Sequence, residues 1–138
     1  MTRNISFSAT KDQFRAHKKH VTRRLKWLNL KCGDRLMGVE KARGIKKGEL
    51  VRLGGITILL VNREPLNQIL REYYRAIPSS VCDAYTDILG SVSEMALEGF
   101  PELTPQQFVD MFCAMNDCEP ETEITRILFD YGLDYGVI

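Results

Sequence analysis

The sequence predicts an α+β domain built on a small curved sheet or barrel, and three observations carry that prediction. The apolar periodicity runs from a short early helix through about four strands, then through helices, to a closing strand. The strands are short and separated by tight turns, a pattern that favours a small curved sheet or barrel. The links between successive strands are too short for parallel βαβ units. At 138 residues and 44% hydrophobic content, the chain is expected to form one domain over 1–138 with a core that needs no covalent staples.

Each element has its own signal. Thr10-Lys11-Asp12-Gln13 has capping-box spacing, so a helix should start near residue 11 with Phe14 and His17 on one face. The β-branched and basic stretch from Lys19 to Leu25 reads as extended. Trp27, Leu28 and Leu30 add apolar weight before the turn Lys31-Cys32-Gly33-Asp34, and a strand should follow from Arg35 to Glu40. Lys46-Lys47-Gly48-Glu49 is another turn. Gly54-Gly55 between Leu50–Leu53 and Ile56–Asn62 predicts a two-residue hairpin, whose continuously apolar second strand should be buried on both faces.

Beyond Pro65 the texture becomes helical. Leu66, Ile69, Leu70 and Tyr73 recur at i, i+3, i+4, i+7. Pro78 interrupts, Ser80 would cap a short helix over Val81–Leu89, and Gly90 would end it. Ser91 with Glu94 makes a second capping box with Gly99 as the stop. Thr104-Pro105-Gln106-Gln107 makes a third, with proline at the favoured first position. Phe108, Met111, Phe112 and Met115 form an apolar stripe, and the last strand should run from Glu123 to Phe129.

The formal net charge of +1 conceals a division. Residues 1–60 hold 15 of the 19 basic and 4 of the 18 acidic residues, a net of +11; residues 61–138 hold the other 4 and 14, a net of −10. Such asymmetry points either to a polyanion partner for the basic half or to two halves that attract one another. The longest apolar run, Ile58 to Val61, is too short to span a bilayer, so no membrane partner is expected. No secretory signal is evident, which makes the reducing cytoplasm the expected location and leaves Cys32, Cys82, Cys113 and Cys118 as thiols. The spacings of these cysteines and of His17 and His20 match no zinc motif, so no metal or other cofactor is expected.

Glycine-rich phosphate loops, nucleophile elbows and His-Glu-x-x-His are absent from the sequence. The notable cluster is Lys18-Lys19-His20-Val21-Thr22-Arg23-Arg24. As composition it is a solvated basic surface. In an extended segment, however, Thr22 and Arg24 share a face, and a backbone irregularity near Lys19 would bring its ammonium beside them. A cation, a hydroxyl and a guanidinium together grip a phosphate or carbonyl oxygen.

Lys19-x-x-Thr22-x-Arg24, then Gly33-Asp34 opening a strand, Glu98-Gly99-Phe100 after a helix, Phe108 in the next helix and Thr125-Arg126-Ile127 in a closing strand together resemble the ASCH domain family, relatives of the RNA-binding PUA domains. The resemblance runs from about residue 14 to 129. It implies a PUA-like β-barrel of about five to six strands with flanking helices and a helical insertion near residues 66–98. It also implies a cleft where Lys19, Thr22, Arg24 and Glu98 meet. The implied function is binding of RNA or a modified nucleotide or nucleoside, with Lys18, Arg23, Arg24 and Trp27 contacting phosphate or base. One branch of the family is an amidohydrolase of acetylated cytidine, and other members are linked to RNA cleavage. For this chain that branch implies Thr22 as nucleophile, Lys19 as its activating base and Glu98 as proton handler. A threonine hydroxyl needs such a base, and the lysine needs a lowered pKa from burial or from neighbouring cations.

Two departures from the family pattern have physical consequences. The position two before the lysine, usually glycine, is His17, where a positive φ would be strained. Arg23 stands where an apolar core residue is usual. The tyrosines Tyr73, Tyr74 and Tyr85 of the insertion would form either a lid or added core.

Overall fold

The computed structural model describes residues 3–46, 48–72, 74–76 and 91–132. Five strands form one curled, half-barrel sheet: β1 (Arg3–Ser6), β2 (Val21–Arg24), β3 (Arg35–Val39), β4 (Arg52–Pro65) and β7 (Glu123–Tyr131), in the order β1-β3-β4-β7-β2. Two short strands, β5 (Tyr74–Ala76) and β6 (Ser91–Ser93), pair separately. The flanking helices are α1 (Lys11–Arg15), α2 (Glu94–Glu98) and α3 (Pro105–Asn116). Among the described residues no helix is long and apolar enough to cross a membrane.

The two faces of the sheet follow from alternation along the strands. Ile127, Phe129 and Tyr131 of β7 point inward with Ile5, Phe7, Phe14, Leu36, Ile56 and Ile58, making the barrel interior. Leu128 points outward with Val21, Leu59 and Leu97. A bulge between Ile58 and Leu60 breaks the register of β4 against β7, so β4 feeds both faces. The outer face is covered by α2, α3 and the 3-10 turn Leu66–Leu70, through Leu66, Ile69, Met95, Phe108, Val109, Phe112 and Ile124.

Local signals explain the helices. Thr104 and Gln107 form the expected reciprocal capping box with Pro105 in the first turn. Ser93, rather than Ser91, caps α2 by accepting from the Met95 and Ala96 amides. Gly99 ends α2 at φ 95°, a left-handed conformation that favours glycine.

Three expectations are corrected. Gly54-Gly55 does not turn: β4 runs straight through it, pairing Gly54 with Gly38 and Gly55 with Met37. The glycines serve packing instead. A Cβ on Gly38 would come within 2.5 Å of Phe14 Cζ, and Phe14 also lies 3.8 Å from where one on Gly54 would stand. The bare backbone is therefore the bed for a core aromatic ring. β1, unrecognised in the sequence, pairs parallel with β3, the crossover being the segment that carries α1 and β2. Within the stretch 66–98, the expected helix at Leu66 is a 3-10 turn ending at Leu70, and β5 and β6 precede α2. The helix expected over Val81–Leu89, and Tyr73, Tyr85 and Cys82, lie outside the described residues.

Candidate functional site

The open side of the half-barrel lies between its two edge strands, β1 and β2. A cavity of about 170 Å³ sits there, lined by Ser6 at the end of β1 and Phe7 just beyond it, Lys19, Thr22, Arg23 and Arg24, Glu98 from α2, and the Phe108 and Phe112 face of α3. Alternation along β2 turns Thr22 and Arg24 to one face and Arg23 to the other. Arg24 Nε donates to Thr22 Oγ1 at 3.0 Å and its Nη2 to the Ser6 carbonyl at 2.5 Å, so one side chain bridges the two edges of the barrel. Its guanidinium lies 5.1 Å from the Phe7 ring centroid. Burial lowers Arg24 to about 10, which leaves it cationic at neutral pH.

Lys19 is 3% exposed. Its Nζ donates to the Glu98 carbonyl at 2.6 Å and to Glu98 Oε1 at 2.9 Å. Burial lowers its pKa and outweighs the opposing pull of Glu98, with Arg24 and Arg23 adding to the lowering. The turn that delivers Lys19 runs through His17 at φ 57°. The strain anticipated at that position is present, and the His17 ring stacks on Tyr131 at 4.1 Å. Tyr131 in turn donates its hydroxyl to the Lys19 carbonyl.

Behind Lys19 and Glu98 is a buried ionic network on the outer face. Arg23 Nη1 donates to Glu98 Oε2 at 2.8 Å and its Nη2 to Glu94 Oε1 at 2.6 Å. Arg126, opposite Arg23 in the β2–β7 register, grips Glu94 with Nε and Nη2, both at 2.8 Å. Glu64 Oε2 lies 3.8 Å from Arg23 and accepts from Asn62 through Oε1. Lys19, Arg23 and Arg126 thus face Glu64, Glu94 and Glu98, and all six are buried. Burial would lower Arg23, but Glu98 and Glu94 outweigh it and hold the guanidinium above its ordinary value. Burial would likewise raise Glu94; hydrogen bonds from Arg126 and the charge of Arg23 hold it below the ordinary carboxylate range. Arg23 Nε is a buried side-chain atom with no hydrogen-bond partner among the described residues.

Lys19, Thr22, Arg23, Arg24 and Glu98 therefore meet at one cavity, but Arg23 reaches it with both terminal nitrogens held by carboxylates. Lys18 is exposed and borders a different depression with Gln13, Gly99 and Glu102. Trp27 packs against the barrel core with Arg3 over its ring at 5.0 Å, away from the cavity. Glu64, Glu94 and Arg126 were not singled out as site residues in the sequence, although Glu94 stands in a capping box and Arg126 in the closing-strand motif. Glu94 and Glu98 are four apart, hence on one helix face, and Arg126 stands between outward-facing Ile124 and Leu128. Those spacings were the available signal.

No family model matches the sequence, and no curated protein matches it significantly. Among solved structures the chain is similar to protein EF3133 from Enterococcus faecalis V583, of the family model DUF984. The TM-score is 0.54 at 14% identity, covering 95% of this chain and 80% of that one. At that identity the likeness establishes a shared fold.

Proposed function

We propose that this is an ASCH-type domain whose cavity binds a modified nucleobase or nucleoside, free or within RNA. The observation that carries the reading is the convergence of Lys19, Thr22 and Arg24 with Glu98, which is distant from them in sequence, on one cavity with aromatic walls. Its volume is below the about 300–1,000 Å³ of pockets for drug-sized ligands, which suits a single ring with a small substituent. Phe7, Phe108 and Phe112 offer apolar surface to such a ring, and Thr22 and Arg24 offer polar contacts to its substituents. The test is equilibrium binding of cytidine, acetylcytidine and a short single-stranded RNA across a salt series. Binding that weakens in Arg24→Gln, and for RNA falls steeply with salt, is expected. Wild-type protein that binds none of them at millimolar concentration overturns the reading.

Hydrolysis is the second reading, favoured by the placement of Lys19 against Glu98 at the cavity that Thr22 lines. Burial lowers the Lys19 pKa; once deprotonated, its amine would keep two N–H groups for the two acceptors of Glu98 and offer its lone pair to a proton. Thr22 Oγ would attack the acyl carbonyl and pass its proton to Lys19 while Arg24 holds the oxyanion. Collapse would expel the base amine with that proton, and water would release the acyl group from Thr22. Deacetylation of acetylcytidine that persists unchanged in Thr22→Ala removes this mechanism.

A further inference from the structure

We infer that the unpaired edge of β2 is itself a recognition element: the main-chain N–H and C=O of Arg23 form a donor–acceptor pair that reads the amide edge of a planar six-membered ring, such as a pyrimidine. The inference rests on the nucleobase reading above for the identity of the ring.

The phase of the β2–β7 ladder fixes which groups point outward. Phe129 N donates to the His20 carbonyl at 2.8 Å, and Val21 stands opposite Leu128. In an antiparallel pair this places Thr22 and Arg24 with their main-chain groups turned to β7, and Val21 and Arg23 with theirs turned away. Among the described residues β2 has no other strand neighbour, so the groups of Arg23 lie on the sheet's open edge. That edge faces the cavity. The Arg23 side chain is 0% exposed whereas the residue is 3% exposed, so what Arg23 shows to the surroundings is main chain. The residue lines the cavity on those terms.

An open strand edge invites another strand. Here the gap is too small for one: the opposing edge, β1, is already tied across it by Arg24 to Ser6, and the cavity holds about 170 Å³. Phe7 and the Phe108–Phe112 face enclose the space on its apolar sides. A flat ring carrying adjacent N–H and C=O groups fills it, satisfies both main-chain groups of Arg23, and brings its substituent toward Thr22 and Arg24. Backbone recognition leaves no side-chain signature, which is why no motif reports it.

The test compares two matched pairs on the full chain: uridine with 3-methyluridine, and 2-piperidinone with its N-methyl derivative. Each is titrated against ¹⁵N-labelled protein, following the Arg23 amide resonance and its hydrogen exchange. The expected result is a shift of that resonance, exchange slowed tenfold or more at saturation, and affinity tenfold or more weaker for each N-methyl compound, since a site built around a hydrogen bond rejects the analogue that lacks it. If only the lactam pair behaves so, the edge is confirmed as the recognition element and the nucleoside reading fails. If uridine binds with the Arg23 amide unmoved and 3-methyluridine binds equally well, the inference is overturned while the nucleoside reading stands. If neither pair moves the Arg23 amide, the inference is overturned outright.

Discussion

Replacing Glu94 by glutamine tests the ionic network with the smallest change of shape. Glu94 is 0% exposed and accepts three hydrogen bonds, one from Arg23 at 2.6 Å and two from Arg126 at 2.8 Å. Glutamine keeps the volume but turns an amide NH₂ toward a guanidinium, donor against donor. It also leaves three buried cations facing two carboxylates. Breaking a buried pair by neutralising one partner costs about 3–5 kcal/mol, so Glu94→Gln should lose about that much. For a domain of this size the melting temperature should fall by roughly 10–20 °C. Urea unfolding followed by circular dichroism, extrapolated linearly, measures it. The control is Lys11→Gln, whose Glu40 partner is 3.6 Å away and whose side chain is 43% exposed. An exposed pair of that kind contributes at most about 1 kcal/mol. If Glu94→Gln costs no more than Lys11→Gln, the network does not hold α2 on the sheet and the reasoning fails.

Acid should unfold the protein through the same group: Glu94 is held below its ordinary range, so its stabilisation is complete above the unfolded value of about 4.3 and is lost as pH falls toward the folded one. Melting curves from pH 6 to 2 should show a steeper acid slope for the wild type than for Glu94→Gln. Gly38→Ala should cost about 1–3 kcal/mol through overpacking, because its methyl would meet the Phe14 ring at 2.5 Å; equal stability in urea would mean that Phe14 can move aside. Thr104→Ala should cost about 1 kcal/mol by leaving the Gln107 amide uncapped, read from the same unfolding curves.

The parts of the fold legible in the sequence are those set by local chemistry. The Thr104 box, the Gly99 stop and the apolar run of β4 each have a short-range cause, and each stands where its residues indicate. Gly54-Gly55 misled because a glycine pair signals a turn only when the adjoining backbone must reverse. Here the pair answers a long-range demand, the approach of Phe14 to β3 and β4. β1 escaped notice because a four-residue edge strand has too few positions to show a period. The candidate site was legible in part for a related reason. Lys19, Thr22 and Arg24 are close in sequence, and their resemblance to a family motif links them to Glu98. The network behind Glu98 draws Arg23 from β2, Glu94 from α2, Glu64 from β4 and Arg126 from β7, and nothing in the chain's order places Arg126 beside Glu94 before the sheet is built.

The network also poses a question of purpose that stability alone does not answer. An ion cluster in the core is replaceable by apolar side chains of similar volume, often neutrally or with a gain of about 1–4 kcal/mol. Apolar residues already hold α3 to the same face through Phe108, Val109 and Phe112. What apolar residues would not do is fix both oxygens of Glu98. Arg23 takes Oε2, so Oε1 and the main-chain carbonyl are left to orient Lys19 at the cavity wall. The combined variant Arg23→Met, Glu64→Gln, Glu94→Met and Arg126→Met removes two charges of each sign and keeps Lys19 and Glu98. It should fold with stability within about 2 kcal/mol of wild type, because no uncompensated charge remains from the exchange. It should nevertheless bind the cavity ligand at least tenfold more weakly, and any deacetylation should fall further, since Lys19 and Glu98 lose their fixed geometry. Wild-type affinity and turnover in a stable variant would reduce the network to scaffolding. Failure to fold at all would show that its charges, rather than its volume, specify how α2 docks.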